Sequence, residues 1–188
     1  MKIALTGDVM LGRMVDDEVI QNTFLPTSTV WGNLLPLLLE ADLRLVNLEC
    51  VISQCGHKWQ PEQKAFHFRA SPGTIDVLQA ARIDAVTLAN NHILDYGAEA
   101  LLECLTFLDR AGIRHTGAGR NLRDALVPML VECARNRVAV IALTDNEPEW
   151  EATGHQPGVN YVAYDRHGLL EPYRTRLVRS EERRVGKE

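Results

Sequence analysis

Several apolar runs in this sequence end in side chains suited to holding a cation or moving a proton. They are Asp8 in "GDVMLGR", Asn47 and Glu49 in "LRLVNLE", Asn91 and His92 in "LANNHILDYG", and Asp145 with Asn146 in "IALTDN". Carboxylate and carboxamide oxygens with an imidazole nitrogen form the ligand set of a hard or borderline divalent cation such as Mn, Zn, Fe or Mg. Other chemistries lack their signatures. "GDVMLG" is not GxGxxG, no glycine loop leads into G-K-[ST], and no G-x-S-x-G is present. Each residue alone has a plainer use: Asp8 as a helix N-cap, Asn47 as a partner for loop backbone, Glu49 in an ion pair, His92 as a packed ring, Asp95 as a cap or as a group orienting His92. Gathered at one sheet edge, they read as a site.

That edge has to be built by the elements around it. "KIALT" (2–6), "DLRLVNLE" (42–49) and "IDAVTLA" (83–89) read as core strands, with "IRHTGAG" (113–119) a further strand and turn. Helical patterns lie between them, over Val30 to Glu40, from Pro72 through Ala81, and from Gly97 to Ala111, where Gly112 stops the helix. "AFHFRA" alternates like a short strand, a short helix starts at Asn121, and "VPMLVE" with "RVAVIALTDN" reads as a hairpin or two neighbouring strands. Strands alternating with helices mean an α/β fold, and in open α/β sheets ligands sit at the strands' carboxyl ends.

Composition excludes several functions. A net charge of -5 and the lack of a basic stripe argue against a nucleic-acid partner. "NLLPLLLEADLRLV" is too short and too polar to span a bilayer, and Asp8 interrupts the N-terminal apolar run before a signal peptide could form. Cys50, Cys55, Cys104 and Cys133 show no paired framework, and Cys50, Cys55 and His57 are not spaced as a zinc knuckle. A soluble, cytoplasmic protein is the expectation, with association to a membrane through partners as the alternative.

"LTGDVMLGR", "ADLRLVNLECVIS", "FHFRA", "LANNHILDYG", "HTGAGRNL" and "VIALTDNEPEW", in this order, are together similar to the CapA family of poly-γ-glutamate capsule synthesis proteins, a branch of the calcineurin-like metallophosphoesterases. The resemblance implies a metallophosphoesterase-like layered sandwich, of which residues 1–178 would be the N-terminal portion. "NNH" resembles the superfamily's G-N-H-[DE] signature, with Asn90 where glycine usually stands. By that match Asn91 would be a metal ligand, and His92 would meet the phosphoryl oxygen or leaving group; no acidic residue follows His92 directly, and Asp95, three residues on, would instead be the catalytic partner that orients His92, or a helix cap. Asp8 would be the first ligand of the D-x-H motif, and Glu49 or Asn47 the ligand that bridges two metals. The D-x-H histidine is Met10 here, and the late G-H-x-H motif is absent, with His115, Asp145 and His155 left as uncertain extras. The implied chemistry is metal-assisted hydrolysis or transfer at a phosphate ester. The rival implication is a non-catalytic factor that binds or exports an anionic polymer such as poly-γ-glutamate.

The last ten residues, Arg179–Glu188, match a translated sequencing-adapter string residue for residue and lack apolar periodicity. They are expected to be foreign to the domain and to pack on nothing, with the natural chain continuing beyond Val178.

Overall fold

The computed structural model describes residues 1–21, 25–60, 62–133 and 136–184. Its strands are β1 (Ile3–Val9), β2 (Leu43–Leu48), β3 (Val51–Ile52), β4 (Arg69–Ala70), β5 (Ala85–Thr87), β6 (Arg114–Thr116), β7 (Ala118–Gly119), β8 (Met129–Cys133), β9 (Asn136–Val140), β10 (Gly158–Val159), β11 (Tyr164–Asp165) and β12 (Gly168–Leu169). Its α-helices are α1 (Met14–Gln21), α2 (Leu35–Leu39), α3 (Ile75–Ala80), α4 (Gly97–Ala111), α5 (Leu122–Leu126) and α6 (Tyr173–Arg184). The organising sheet is four-stranded, in the order β1-β2-β5-β6. Every pairing in it is parallel, so all four carboxyl ends lie along one edge. The α/β class expected from the sequence is what the chain forms.

Alternation along β2 and β5 explains the two faces. Val46, Leu48 and Val86 point into the main core with Val77 and Leu78 of α3 and Leu101, Leu105 and Leu108 of α4. Leu43 and Ala85 face the other way, against Met129, Val131 and Cys133 of the antiparallel β8–β9 hairpin. Each fully buried aliphatic side chain here contributes about 1.5–3 kcal/mol. The hairpin does not reach β1. Ile3 and Leu5 pair with Leu43 and Leu45 and share their face, yet they are 40% and 70% exposed. A buried Arg44 ties the sheet to its entry loop by donating to the carbonyls of Leu38 and Ala41 and pairing with Asp84 at 2.8 Å.

One expectation changes. The helix over Val30 to Glu40 is broken into a 3-10 segment, Thr27–Leu34, and the short α2, because Gly32 takes φ 49° and Pro36, at the first turn of α2, has no N–H to give. At the other end of the chain α6 continues to Arg184. Residues 185–188 lie outside the described residues. No helix among the described residues is long and apolar enough to cross a membrane.

Candidate active site

At the carboxyl edge of the sheet, β1 carries an irregularity that sets the first acidic group. Leu5 pairs with Leu45 but Asp8 pairs with Asn47, so β1 spends one residue more than β2 over this stretch. Gly7 absorbs the extra residue at φ 73°, where a side chain would be strained. The result places Asp8 beside Asn47, whose amide Nδ2 donates to Asp8 Oδ1 at 2.8 Å and to Glu49 Oε2 at 2.5 Å. Asn47 Oδ1 is turned away from these acids and accepts from Thr87 Oγ1 at 3.1 Å and Asn90 Nδ2 at 3.0 Å. Asn47, expected among the metal ligands, is arranged here as a hydrogen-bonded bridge between two carboxylates. Burial pushes the Glu49 carboxyl above its usual range, and the neighbouring negative charge of Asp8 adds to the rise.

The turn after β5 answers for the second group. Asn90, buried, donates to Leu48 O and accepts from His92 N, which locks the turn onto β2. His92 is 8% exposed, and its Nδ1 meets Asp95 Oδ2 at 2.7 Å. A carboxylate can only accept, so in the neutral ring this contact holds the proton on Nδ1 and leaves Nε2 as the working atom. Nε2 lies 3.3 Å from Asn91 Nδ2 and 3.8 Å from Glu49 Oε1. Asp95 therefore orients His92; the N-cap of α4 is Tyr96, and no side chain caps that helix.

A loop from Ser53 to Phe68 covers this half of the site, and sequence reasoning missed its contribution. Phe68 stacks on His92 with centroids 4.1 Å apart, and its backbone N–H donates to Asp95 Oδ2 at 2.7 Å. Trp59 N donates to Asp95 O at 2.8 Å. Gly56 allows the loop to press on the start of α4: a Cβ there would sit 1.9 Å from Tyr96 O. Lys64 reaches in to donate to the backbone carbonyl of Asn91 and lies 3.0 Å from Asp95 Oδ1 and 3.2 Å from Glu147 Oε1. Trp59, Gln63, Lys64, Asn91, His92 and Glu147 line a cavity of about 520 Å³ beside the imidazole. The sequence signals for this were the density of aromatic and basic residues and the short alternating run "AFHFRA", neither of which says where the segment folds.

The structure brings Asp8, Asn47, Glu49, Asn91, His92 and Asp95 together and leaves the uncertain extras elsewhere. His115 pairs with Asp109 at 3.0 Å and lines a different cavity, one that shares no residue with that beside His92. Asp145 and His155 are exposed. Met10 turns its sulfur to accept from Gly12 N at 3.1 Å, so the thioether that stands in the D-x-H histidine position is spent on the backbone. Among the described residues no cluster of three or more His, Cys, Asp or Glu side chains is set to hold a metal ion. The donors present fit a more open arrangement, since the Asp8 and Glu49 carboxylates already converge on one neutral donor, the Asn47 amide.

Comparison with known proteins agrees with the motifs. The family described as "Bacterial capsule synthesis protein PGA_cap" matches residues 2–184. A "Probable polyglutamine synthesis accessory protein" of Mycobacterium tuberculosis is 30% identical over 192 residues, covering 84% of this chain and 50% of that protein. "Capsule biosynthesis protein CapA" of Bacillus anthracis is 30% identical over 158 residues, covering 83% of this chain and 38% of its own length. "PGA biosynthesis protein CapA" of Bacillus subtilis is 23% identical, with 83% and 40% covered. The chain thus spans about half, or less, of the length of these relatives. With the family matched across nearly its whole length, the chain belongs to the bacterial capsule synthesis protein PGA_cap family.

Proposed function

We propose that this site performs cation-assisted hydrolysis or transfer at a phosphate ester, within a metallophosphoesterase-like sandwich, in the service of capsule-polymer synthesis. The observation that carries the reading is the 2.7 Å contact between His92 Nδ1 and a fully buried Asp95, which leaves Nε2 facing Asn91 and Glu49. Asp8 and Glu49 would supply the anionic donors for a divalent cation, with Asn91 offering a carboxamide oxygen and Asn47 spacing the acids. A bound cation would neutralise phosphoryl charge and lower the pKa of a coordinated water. His92 Nε2 would give or take the proton at the leaving oxygen, and Phe68 would keep bulk water from the face of the ring. The Asp95 carboxylate stabilises the ring whenever it carries that proton.

The rival reading, a non-catalytic factor binding poly-γ-glutamate or another anionic polymer, draws on Met10 and on the names of the relatives. The charges at the cleft weigh against it in the absence of a cation: Asp8, Glu49, Glu147 and Glu149 stand near one another or near His92. The deciding experiment measures release of p-nitrophenol from its phosphate mono- and diesters by the full-length protein, of which this chain spans about half or less by comparison with its relatives, with and without Mn. The reading predicts Mn-dependent turnover that falls about 10²- to 10⁴-fold in His92→Ala with the fold intact by circular dichroism. Turnover absent with every divalent cation, or undiminished in His92→Ala, would contradict it.

A further inference from the structure

Lys64 is held in a way that surface lysines are not. Its side chain is 11% exposed, and its ammonium lies 4.3 Å from the Trp150 ring centroid and 5.8 Å from that of Trp59. The two indoles meet edge to face at 5.1 Å. Its anionic neighbours are Asp95 Oδ1 at 3.0 Å and Glu147 Oε1 at 3.2 Å. The Asp95 carboxylate divides its labour. Oδ2 takes both His92 Nδ1 and the Phe68 N–H, whereas Oδ1 receives no aligned hydrogen bond among the described residues and faces the Lys64 ammonium.

The terminal torsion of an aspartate is soft and nearly two-fold, so the two oxygens are interchangeable until the surroundings distinguish them. A cation on one side and two N–H donors on the other make that distinction. We propose that Lys64 is a positioning residue for His92: its ammonium fixes the Asp95 carboxylate with Oδ2 toward Nδ1, and so sets the direction of Nε2. The residue belongs to the loop from Ser53 to Phe68 rather than to the "NNH" turn, so the imidazole is aligned only when that loop is seated. This rests on the reading of His92 as the proton-transfer group, but its test does not require turnover.

The Nδ1 proton of an imidazole bound to a buried carboxylate gives a resolved downfield proton resonance, assignable by its loss in His92→Ala and readable in the metal-free protein. The resonance is expected in wild type and in Glu147→Gln, which removes the other carboxylate partner of Lys64. In Lys64→Met it is expected to disappear or broaden while unfolding stays cooperative, and Lys64→Arg, which keeps the cation, should retain it. Lys64→Gln serves as a second charge-removing variant should Lys64→Met not fold. Where phosphoester turnover is measurable, kcat in Lys64→Met should fall about 10- to 100-fold with KM little changed. A resonance that persists in Lys64→Met overturns the proposal; so does one lost equally in Glu147→Gln and Lys64→Arg, which would make Lys64 a packing residue. A Lys64-dependent resonance in a protein without turnover would sink the hydrolytic reading and leave this one standing.

Discussion

His92 follows β5 and Asp8 ends β1, on either side of β2 in one sheet, yet the protein has completed their surroundings to different degrees. His92 is buried, stacked on Phe68 and paired with Asp95, which in turn meets Phe68 N–H and Lys64. Asp8 is exposed, and its carboxylate shares the single amide group of Asn47 with Glu49. A buried polar network is costly where its members lack partners, and in the His92 half protein groups meet each one, Asp95 Oδ1 through the charge of Lys64 rather than an aligned hydrogen bond. Two carboxylates sharing one neutral donor leave the Asp8 half with negative charge that the Asn47 amide does not neutralise.

The contrast should be plainest in Asp95→Ala. It leaves the Lys64 ammonium, the Phe68 N–H and His92 Nδ1 without their acceptor, and removing one partner of a buried ion pair costs about 3–5 kcal/mol. Urea unfolding should show that loss, while Asp8→Ala, at an exposed position, stays within about 0.5 kcal/mol of wild type. Equal losses in both variants would erase the distinction between the halves.

A smaller effect should come from Asn47→Ala, which removes the shared donor and leaves Asn90 and Thr87 short of an acceptor. A cost of about 1–3 kcal/mol is expected. Part of it should be recovered in the Asn47→Ala/Asp8→Asn double variant, since the like charges then no longer face each other; a strictly additive double-variant cycle would mean that Asn47 and Asp8 are not coupled.

Thiol chemistry probes the packing beneath the open half. Cys50, the residue after Glu49, and Cys104 of α4 are fully buried, and burial pushes both thiols up to about 12. At pH 8 they remain protonated and inaccessible, whereas Cys55 is exposed. Ellman's reagent should modify Cys55 in the folded protein and Cys50 and Cys104 only after denaturation. Fast native-state reaction of Cys50 would show that the floor of the acid pair is loose.

The smallest effect belongs to the far end of the chain. Deleting Arg179–Glu188 should leave the melting temperature unchanged within error, because that stretch lacks the apolar periodicity a packed helix face needs. A clear drop would make the end of α6 part of the native fold.

The difference between the halves also sorts what was legible in the sequence. β2 and β5 are buried on both faces and read as apolar runs, so the polar residues that end them stood out. Glu49 and His92 were visible for that reason, whereas on the half-exposed β1 the Gly7–Asp8 step only hinted at the irregularity there. Phe68, Trp59 and Lys64 were not visible as site residues, because their roles come from where their segment folds back, which the alternation of "AFHFRA" does not convey. That placement is fixed by contacts as distant in sequence as Lys64 to Glu147. Likewise, the apolar pattern from Val30 to Glu40 signalled a helix but could not weigh Gly32 and Pro36 against it. The role of Asn47 was ambiguous for a different cause: an amide can donate or accept, and only its neighbours decide.

The central claim is that the acid pair of Asp8 and Glu49 takes a divalent cation next to an imidazole already set in place. Calorimetric titration of Mn into the metal-free protein tests it most directly, run beside Asp8→Asn/Glu49→Gln and His92→Ala. The account predicts saturable binding in wild type, its loss in the double variant, and its retention in His92→Ala. Absence of binding in wild type, or equal binding in the variant that lacks both carboxylates, would contradict it.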